Sequence, residues 1–335
     1  AKKMNIGIDL SLWNDRIKLT ADYFQEKRDD ILANRGTIPD IVGANLPAYN
    51  MGKMENKGFD GEITFRDHIG PFNYWLRGIF TFARNEIKFM DESNKLYAYQ
   101  KRTGHRLNQY FGYIAEGFYN TWEEVNDINR PESMYNNNKI QPGDVKYKDV
   151  NGDGIINTYD QVPIGYSDFP EISYGISLGG DIKGFDFSIL FQGSSHVSFR
   201  ASKKSNRGFQ EDGSAVDYLK DYSWTPERYA NGDEIKFPHL SANASQEHNY
   251  QASSLWIRDA SYLRLKNVEI GYTFSGKILK KIGLDSARIY VNGTNLVTWC
   301  DLFPGEDPEI PTYNDGNYEP YPIVKTVNMG LNVNF

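Results

Sequence analysis

Along most of this chain apolar and polar residues alternate one by one. From Thr326 to Phe335 the residues Val327, Met329, Leu331, Val333 and Phe335 interleave without a break with Thr326, Asn328, Gly330, Asn332 and Asn334. Successive side chains of an extended strand point to opposite faces, so this segment has one greasy face and one wet one. The same rule holds from Ile172 to Ile182, where Tyr174, Ile176 and Leu178 oppose Ser173, Gly175, Ser177 and Asp181. It holds again from Phe185 to Phe191, where Phe187 and Ile189 oppose Asp186, Ser188 and, just beyond, Gln192. Only Lys183-Gly184 separates those two runs, which predicts a tight hairpin. Similar alternation marks Ile6 to Trp13, Ile17 to Phe24, Phe59 to Arg66, Phe72 to Phe89, Arg258 to Phe274 and Arg288 to Trp299. The pattern predicts about nine strands, most close to the roughly 9 to 11 residues that cross a bilayer at a tilt. The run from Arg258 slips phase between Leu265 and Val268; a β-bulge does this, as does a strand end, and we read a bulge.

The joins between runs also alternate. Short ones fall at Asn14-Asp15, Asp67 to Pro71, Lys183-Gly184 and Ser275 to Ser286; long polar ones fall at Gln25 to Gly58, Met90 to Glu171, Ser202 to Ser254 and Cys300 to Pro322. Compact soluble domains seldom carry several loops of that length, whereas bacterial outer-membrane barrels pair short periplasmic turns with long outward loops. The expected fold class is therefore all-β, a transmembrane antiparallel β-barrel with long extracellular loops. With the long loops outward, an odd strand count makes the first and last strands both descend, and the C-terminus is expected on the periplasmic side. An odd count also leaves two bare sheet edges in lipid, where each unpaired backbone group costs several kcal/mol. The rest of the wall is expected from sequence outside these residues or from another chain.

Composition agrees. Aromatics make up 14% of the 335 residues, with 23 Tyr, 19 Phe and 6 Trp, while the hydrophobic fraction is 39%. A barrel with a wet interior spends half its strand positions on polar residues and sets aromatic girdles at both interfaces. A Tyr-rich secreted β-sandwich fits the composition almost as well. The net charge of −7 and the lack of a basic stripe argue against nucleic acid, which needs clustered Lys and Arg. A lone cysteine, Cys300, excludes an internal disulfide framework and a cysteine zinc site; it reads as a small packed residue. No apolar run approaches the ~18 residues of a membrane helix, and Ala1-Lys2-Lys3-Met4 does not open a signal peptide. Any membrane crossing must use strands, with an export signal upstream. No repeat of a propeller or solenoid is evident.

One motif carries chemistry. Asp149-Val150-Asn151-Gly152-Asp153-Gly154-Ile155-Ile156-Asn157-Thr158-Tyr159-Asp160 matches the twelve-position calcium loop, with oxygen side chains at positions 1, 3, 5, 9 and 12, Gly at 6 and an apolar residue at 8. A hard cation takes six or more oxygens at about 2.3 to 2.6 Å. Gly154 permits the turn that lets Asp149, Asn151, Asp153, the Ile155 carbonyl and Asn157 converge on one. Position 12 is Asp160 rather than the usual Glu, so its reach for bidentate coordination is shorter, and the site suits calcium of modest affinity or magnesium. A turn-rich loop with no metal is the alternative. Pro142-Gly143 and Pro163 bracket the segment and leave no room for EF-hand helices.

No enzyme signature accompanies it. His68, His105, His196, His239 and His248 are scattered and read as loop or lumen residues, without a paired-histidine metal motif or a nucleophile elbow. Glu123-Glu124 and Asp29-Asp30 read as solvated loop charges. The long loops mix aromatics with polar residues, and Tyr113, Phe118, Trp122, Tyr222, Trp224 and Tyr229 are candidates for contact with a substrate or a covering partner, packing among the loops being the alternative.

Several ordered segments resemble one family. They are Asn56-Lys57-Gly58-Phe59, Gly112-Tyr113-Ile114-Ala115-Glu116-Gly117, the run Gln141-Pro142-Gly143-Asp144-Val145-Lys146-Tyr147-Lys148-Asp149 leading into the calcium-type loop, Ile164-Gly165, and Pro170 to Tyr174. Lys183-Gly184-Phe185-Asp186-Phe187-Ser188, Phe191-Gln192-Gly193, Ser261-Tyr262-Leu263-Arg264-Leu265-Lys266-Asn267 and Val291-Asn292-Gly293-Thr294-Asn295-Leu296 follow. Together they resemble the C-terminal part of SusC-like, TonB-dependent outer-membrane transporters of Bacteroidota, across nearly the whole chain. The resemblance implies a 22-stranded barrel with an N-terminal plug domain, a SusD-like surface lipoprotein as lid, energy from TonB, and uptake of an oligosaccharide or peptide. The terminal Phe335 is similar to the signal for outer-membrane insertion. Plug, TonB-contacting segment and signal peptide are not recognisable in residues 1–335, so the chain is expected to be the barrel's C-terminal part alone. Import is the leading expectation. A secreted calcium-binding adhesin or glycan-binding β-protein is the alternative.

Overall fold

The computed structural model describes residues 1–335 except 39–40, 42, 44–45, 136–138, 202–205, 210–213, 242–246, 277–278, 280–282 and 311–322. Nine long strands make one antiparallel sheet in sequence order: β1 (Lys2–Leu12), β2 (Ile17–Ala33), β3 (Tyr49–Ile69), β4 (Phe72–Phe89), β5 (Ile172–Ile182), β6 (Phe185–Ser195), β7 (Tyr262–Ser275), β8 (Ser286–Cys300) and β9 (Thr326–Asn334). Each strand pairs with its neighbours in the chain, the meander expected of a barrel wall.

Register turns the alternation into a surface. Leu12, Ile17, Phe65, Leu76, Leu178, Ile189, Val268, Gly293 and Val327 are successive cross-strand partners, one row across all nine strands. The next row, on the opposite face, reads Ser11, Lys18, Thr64, Arg77, Ser177, Leu190, Asn267, Thr294 and Thr326. A slip of one residue in any strand would exchange the faces there, so nine strands in phase amount to a continuous apolar face. That face is bare: Ile270 is 59% and Met329 78% exposed. In water each such side chain forgoes about 1.5–3 kcal/mol of burial, a penalty that hydrocarbon removes. Among the described buried hydrophobic residues Tyr262 alone lies in one of the nine long strands. The protein is thus greasy outside its sheet and dry only among its loops.

The turns follow the expected chemistry. At Lys183-Gly184 both residues have positive φ, 48° and 92°, the backbone of a two-residue hairpin turn whose twist matches the strands. The slip after Leu265 is a bulge: Leu265 pairs with Phe191 and Asn267 with Leu190, leaving Lys266 extra. Short joins gather at one end of the sheet and long ones at the other. Asn334 pairs with Ser286, so the chain's last residues lie at the short-join end.

Four expectations need correction. Gln25 to Gly58 is not one long loop, because β2 runs on to Ala33 and β3 starts at Tyr49. Polar pairs such as Lys27 with Glu55 and Glu26 with Asn56 continue the ladder there; backbone pairing needs no apolar period once both faces meet water. Asp29-Asp30 accordingly sit at an irregularity within β2, with Asp30 at φ 58°. The Arg258 to Phe274 run is two strands, since Ile257–Asp259 pairs with Ser198–Arg200 before β7 begins. Cys300 is exposed at the end of β8 rather than packed. The expected join Ser275 to Ser286 and the end of Cys300 to Pro322 lie partly outside the described residues.

Candidate functional site

The long joins carry the protein's only described hydrophobic cores. Val197, Phe199, Leu219, Phe237, Trp256 and Phe303 form one, and Tyr113, Val145, Tyr147 and Ile156 another. The Phe237 and Phe303 rings, far apart in sequence, pack tilted at 4.6 Å, and the Trp256 indole donates to the Asn249 carbonyl at 2.7 Å. The Gln141-Pro142-Gly143-Asp144 segment is a corner of this assembly. Gly143 has φ 93°, and a Cβ there would lie 2.6 Å from the Trp224 ring. Buried Asp144 accepts from the Gln141 N–H at 2.9 Å and from the Asn249 side chain at 2.6 Å. His248 is buried too. Its Nε2 donates to the Val145 carbonyl at 2.7 Å, so its Nδ1 accepts from the Ser133 hydroxyl at 2.8 Å, and burial lowers its pKa.

The calcium-type loop lies on the surface of this assembly. Asp149 accepts from the Gly152 and Gly154 N–H groups, both at 2.8 Å, and the two glycines have φ 75° and 80°. Asp153 accepts from the Ile155 N–H at 2.8 Å and from the Asn151 amide at 2.8 Å. Asp160 departs from the ligand role: it is 0% exposed and accepts from the Val150 and Asn157 N–H groups at 2.8 and 2.9 Å, closing a capping box with Asn157. Burial first, then the neighbouring Tyr97 and the carboxylates of Asp160, Asp153 and Asp149, raise the Tyr99 phenol above its ordinary pKa. Among the described residues no lysine or arginine forms an ion pair with those three carboxylates, and no group of three or more His, Cys, Asp or Glu side chains is clustered to hold an ion. A cation here would take carboxylate oxygen from Asp149 and Asp153 and amide or carbonyl oxygen from Asn151, Ile155 and Asn157. That oxygen-only set fits a hard cation.

The aromatic candidates divide. Tyr113 is fully buried and hydrogen-bonded to Tyr135 at 2.8 Å, and Trp224 is 7% exposed with its indole on Asn120 at 3.1 Å. Packing accounts for both. Phe118 and Tyr222 are half-buried beside the cores. Trp122 at 57% and Tyr229 at 45% remain open to a partner.

Two ionic clusters that sequence reading missed fasten the loops to the wall. Glu171, 4% exposed, takes two 2.8 Å hydrogen bonds from Arg84 of β4, another from Arg106, and lies 3.2 Å from the His196 ring. Arg264 of β7, 1% exposed, donates to Thr298 and to Asp307 at 2.8 Å and to Glu309, which also receives Lys266 at 2.9 Å and the Tyr262 hydroxyl at 2.9 Å. Arg264 stands on the polar phase of β7, so the loop bearing Asp307 and Glu309 folds inward. The signal was present in Ser261 to Asn267, where Arg264 falls on the wet phase of an apolar strand.

Residues 1–162 match the profile of a family described as TonB dependent receptor-like, beta-barrel. The whole chain aligns with TonB-dependent receptor P3 of Formosa agariphila, 29% identical over 360 residues, covering 100% of this chain and 34% of that protein. TonB-dependent receptor SusC of Bacteroides thetaiotaomicron is 26% identical over 355 residues, covering 99% of this chain and 31% of that one. The chain is similar to the TonB-dependent receptor β-barrels along its whole length. It spans about a third of the length of the curated relatives it matches. A solved structure, that of the RagAB peptide transporter, superposes with TM-score 0.71 at 20% identity, covering 99% of this chain and 35% of that one. In a barrel of that kind the apolar face would meet lipid and the polar face would line the lumen. The lumen face is not uniformly wet. Trp75, Ile79 and Leu190 interrupt it beside Arg77, Ser177 and Asn267, around an open cavity of about 510 Å³. A second, of about 730 Å³, lies where Glu309 and Ile310 approach Gln192 and Ser194.

Proposed function

We propose that this chain is the C-terminal part of the wall and the outer loops of an outer-membrane importer of a bulky nutrient, an oligosaccharide or a peptide. The observation that supports it best is the apolar row from Leu12 to Val327, broken at Gly293, with the packed cores of the described residues in the loops. In this reading the rest of the barrel and a plug domain come from the remaining length of the receptor, and TonB supplies energy through that part. A SusD-like lipoprotein covers the loops, with Trp122 and Tyr229 among the side chains free to meet it or the cargo. The long loops face outward and the C-terminus is periplasmic. Calcium, or magnesium, stiffens the Asp149 to Asp160 loop. The chain moves its cargo and carries out no reaction on it.

Membrane fractionation of the native organism, followed by growth of a deletion strain on single oligosaccharides and peptides, tests this. We expect the receptor in the outer-membrane fraction and loss of growth on one class of polymer. Recovery in the aqueous fraction without detergent would replace import with the secreted calcium-binding alternative.

A further inference from the structure

Beside the calcium-type loop lies a surface cleft of about 390 Å³, in the size range of small-molecule sites. None of its lining residues is an Asp or Glu, although the chain carries 44 acidic residues against 37 basic ones. Two cations line it instead, Lys95 and Arg102, together with the amides of Asn94, Gln100 and Gln161 and the ring of Tyr159. Glu92, outside the lining, accepts from the Arg102 and Thr103 N–H groups, both at 2.8 Å, and its charge acts on both Lys95 and Arg102.

The walls are set in advance. The Arg102 guanidinium lies 3.8 Å from the centre of the Phe111 ring and donates to the Gln109 carbonyl at 3.1 Å, which holds its plane while leaving further N–H groups unused. The opposite wall is the end of the calcium-type loop. It is pinned from behind by the Tyr99 hydroxyl on the Tyr159 carbonyl at 2.8 Å and the Gln100 amide on the Thr158 carbonyl at 3.0 Å. A preformed cleft spends little of its binding energy on ordering.

We propose that this cleft binds an anionic sugar residue of the imported cargo, its carboxylate or sulfate held between Lys95 and Arg102. The ring lies against Tyr159, and the amides of Asn94, Gln100 and Gln161 take its hydroxyls. The assignment rests on the import reading and narrows its cargo. A guanidinium beside an ammonium selects an oxyanion, and amides around a ring select hydroxyls. An acidic peptide carries the oxyanion but lacks the ring hydroxyls that the Asn94, Gln100 and Gln161 amides would meet.

The test is calorimetric titration of the native receptor in detergent with trigalacturonate, a sulfated trisaccharide, maltotriose and triglutamate. We expect one or both anionic sugars to bind, about tenfold or more tighter than maltotriose and triglutamate, as one charge-assisted contact provides. Which of the two binds identifies the anion. Lys95→Gln, at an exposed position that the fold does not depend on, should weaken that binding by about tenfold, and added salt should weaken it further. Equal affinity for maltotriose, equal or better affinity for triglutamate, or an unchanged Lys95→Gln variant would overturn the assignment. Binding is read on purified receptor and import in cells, so failure of one is distinguishable from failure of the other.

Discussion

Glu171, one residue before β5, presents both carboxylate oxygens to Arg84 of β4, each at 2.8 Å from a guanidinium nitrogen. The pair joins the long loops to the end of the sheet, and Arg106 and His196 approach the same carboxylate.

The acid stability of the loops should follow from this. Burial alone would raise the Glu171 pKa, but the hydrogen bonds from Arg84 and Arg106 outweigh it and hold the group at about 2, below its ordinary 4.5. A depressed carboxylate stabilises the fold fully above the unfolded value and loses that contribution as pH falls towards the folded one. The protection of residues 104–110 and 166–171 against hydrogen exchange, relative to an unfolded chain at the same pH, should therefore be high at neutral pH and fall from pH 4.5 down to about 2. Glu171→Gln should cost about 3 kcal/mol at pH 7, since two guanidinium groups lose their partner, and should flatten the acid response. An acid profile identical in the variant would show that the cluster does not govern the loops.

The two faces of the wall should respond oppositely to charge. Ile270→Arg, on the lipid face, is expected to cost about 2–4 kcal/mol if it sits near mid-bilayer. Ser177→Arg points into the lumen beside an open cavity and should leave folding unchanged. Urea titration of barrel refolded into liposomes, read by heat modifiability on gels, gives both values. Equal costs on the two faces would contradict the lipid assignment.

The strands were legible because lipid imposes a period. Where one face meets hydrocarbon, every second residue must be apolar, and the alternation in Phe185 to Phe191 or Thr326 to Phe335 is visible residue by residue. Beyond the bilayer that constraint lapses. The extensions of β2 to Ala33 and of β3 back to Tyr49 are built from Lys27, Glu55 and Asn56, which read as loop. The cores among the loops were hidden for a different reason. Trp224 sits among polar residues in sequence, between Ser223 and Thr225, much as Trp122 and Tyr229 do, yet long-range contacts bury it. Cys300 followed a similar path. It reads as a small packed residue, but it falls on the opposite phase to Val297 and Trp299 at a strand end.

That division of the aromatics predicts two phenotypes. Tyr113→Ala removes a fully buried ring and its bond to Tyr135, and should cost about 3–5 kcal/mol in loop stability, measured by limited proteolysis. Trp122→Ala should leave proteolysis unchanged and weaken co-purification of the covering lipoprotein or uptake of cargo. Loss of loop stability in Trp122→Ala would place that ring with the packed ones.

The calcium-type loop gives the last expectation. Its position 12 is the short carboxylate Asp160, which is 0% exposed and hydrogen-bonded to the Val150 and Asn157 N–H groups. Fewer charged ligands mean weaker binding, and we expect dissociation constants of about 10⁻⁴–10⁻³ M for calcium, the range of extracellular modules. At a hundredfold excess over that constant, bound calcium should add about 2.7 kcal/mol to the stability of the loop. Asp149→Ala with Asp153→Ala should abolish this increment and leave the strand signal in circular dichroism intact. Asp160→Asn should act differently. It removes the acceptor of two backbone N–H groups and should destabilise the turn with or without the ion. A parent protein whose loop protection is the same in calcium and in chelator would show that Asp149 and Asp153 serve only the turn.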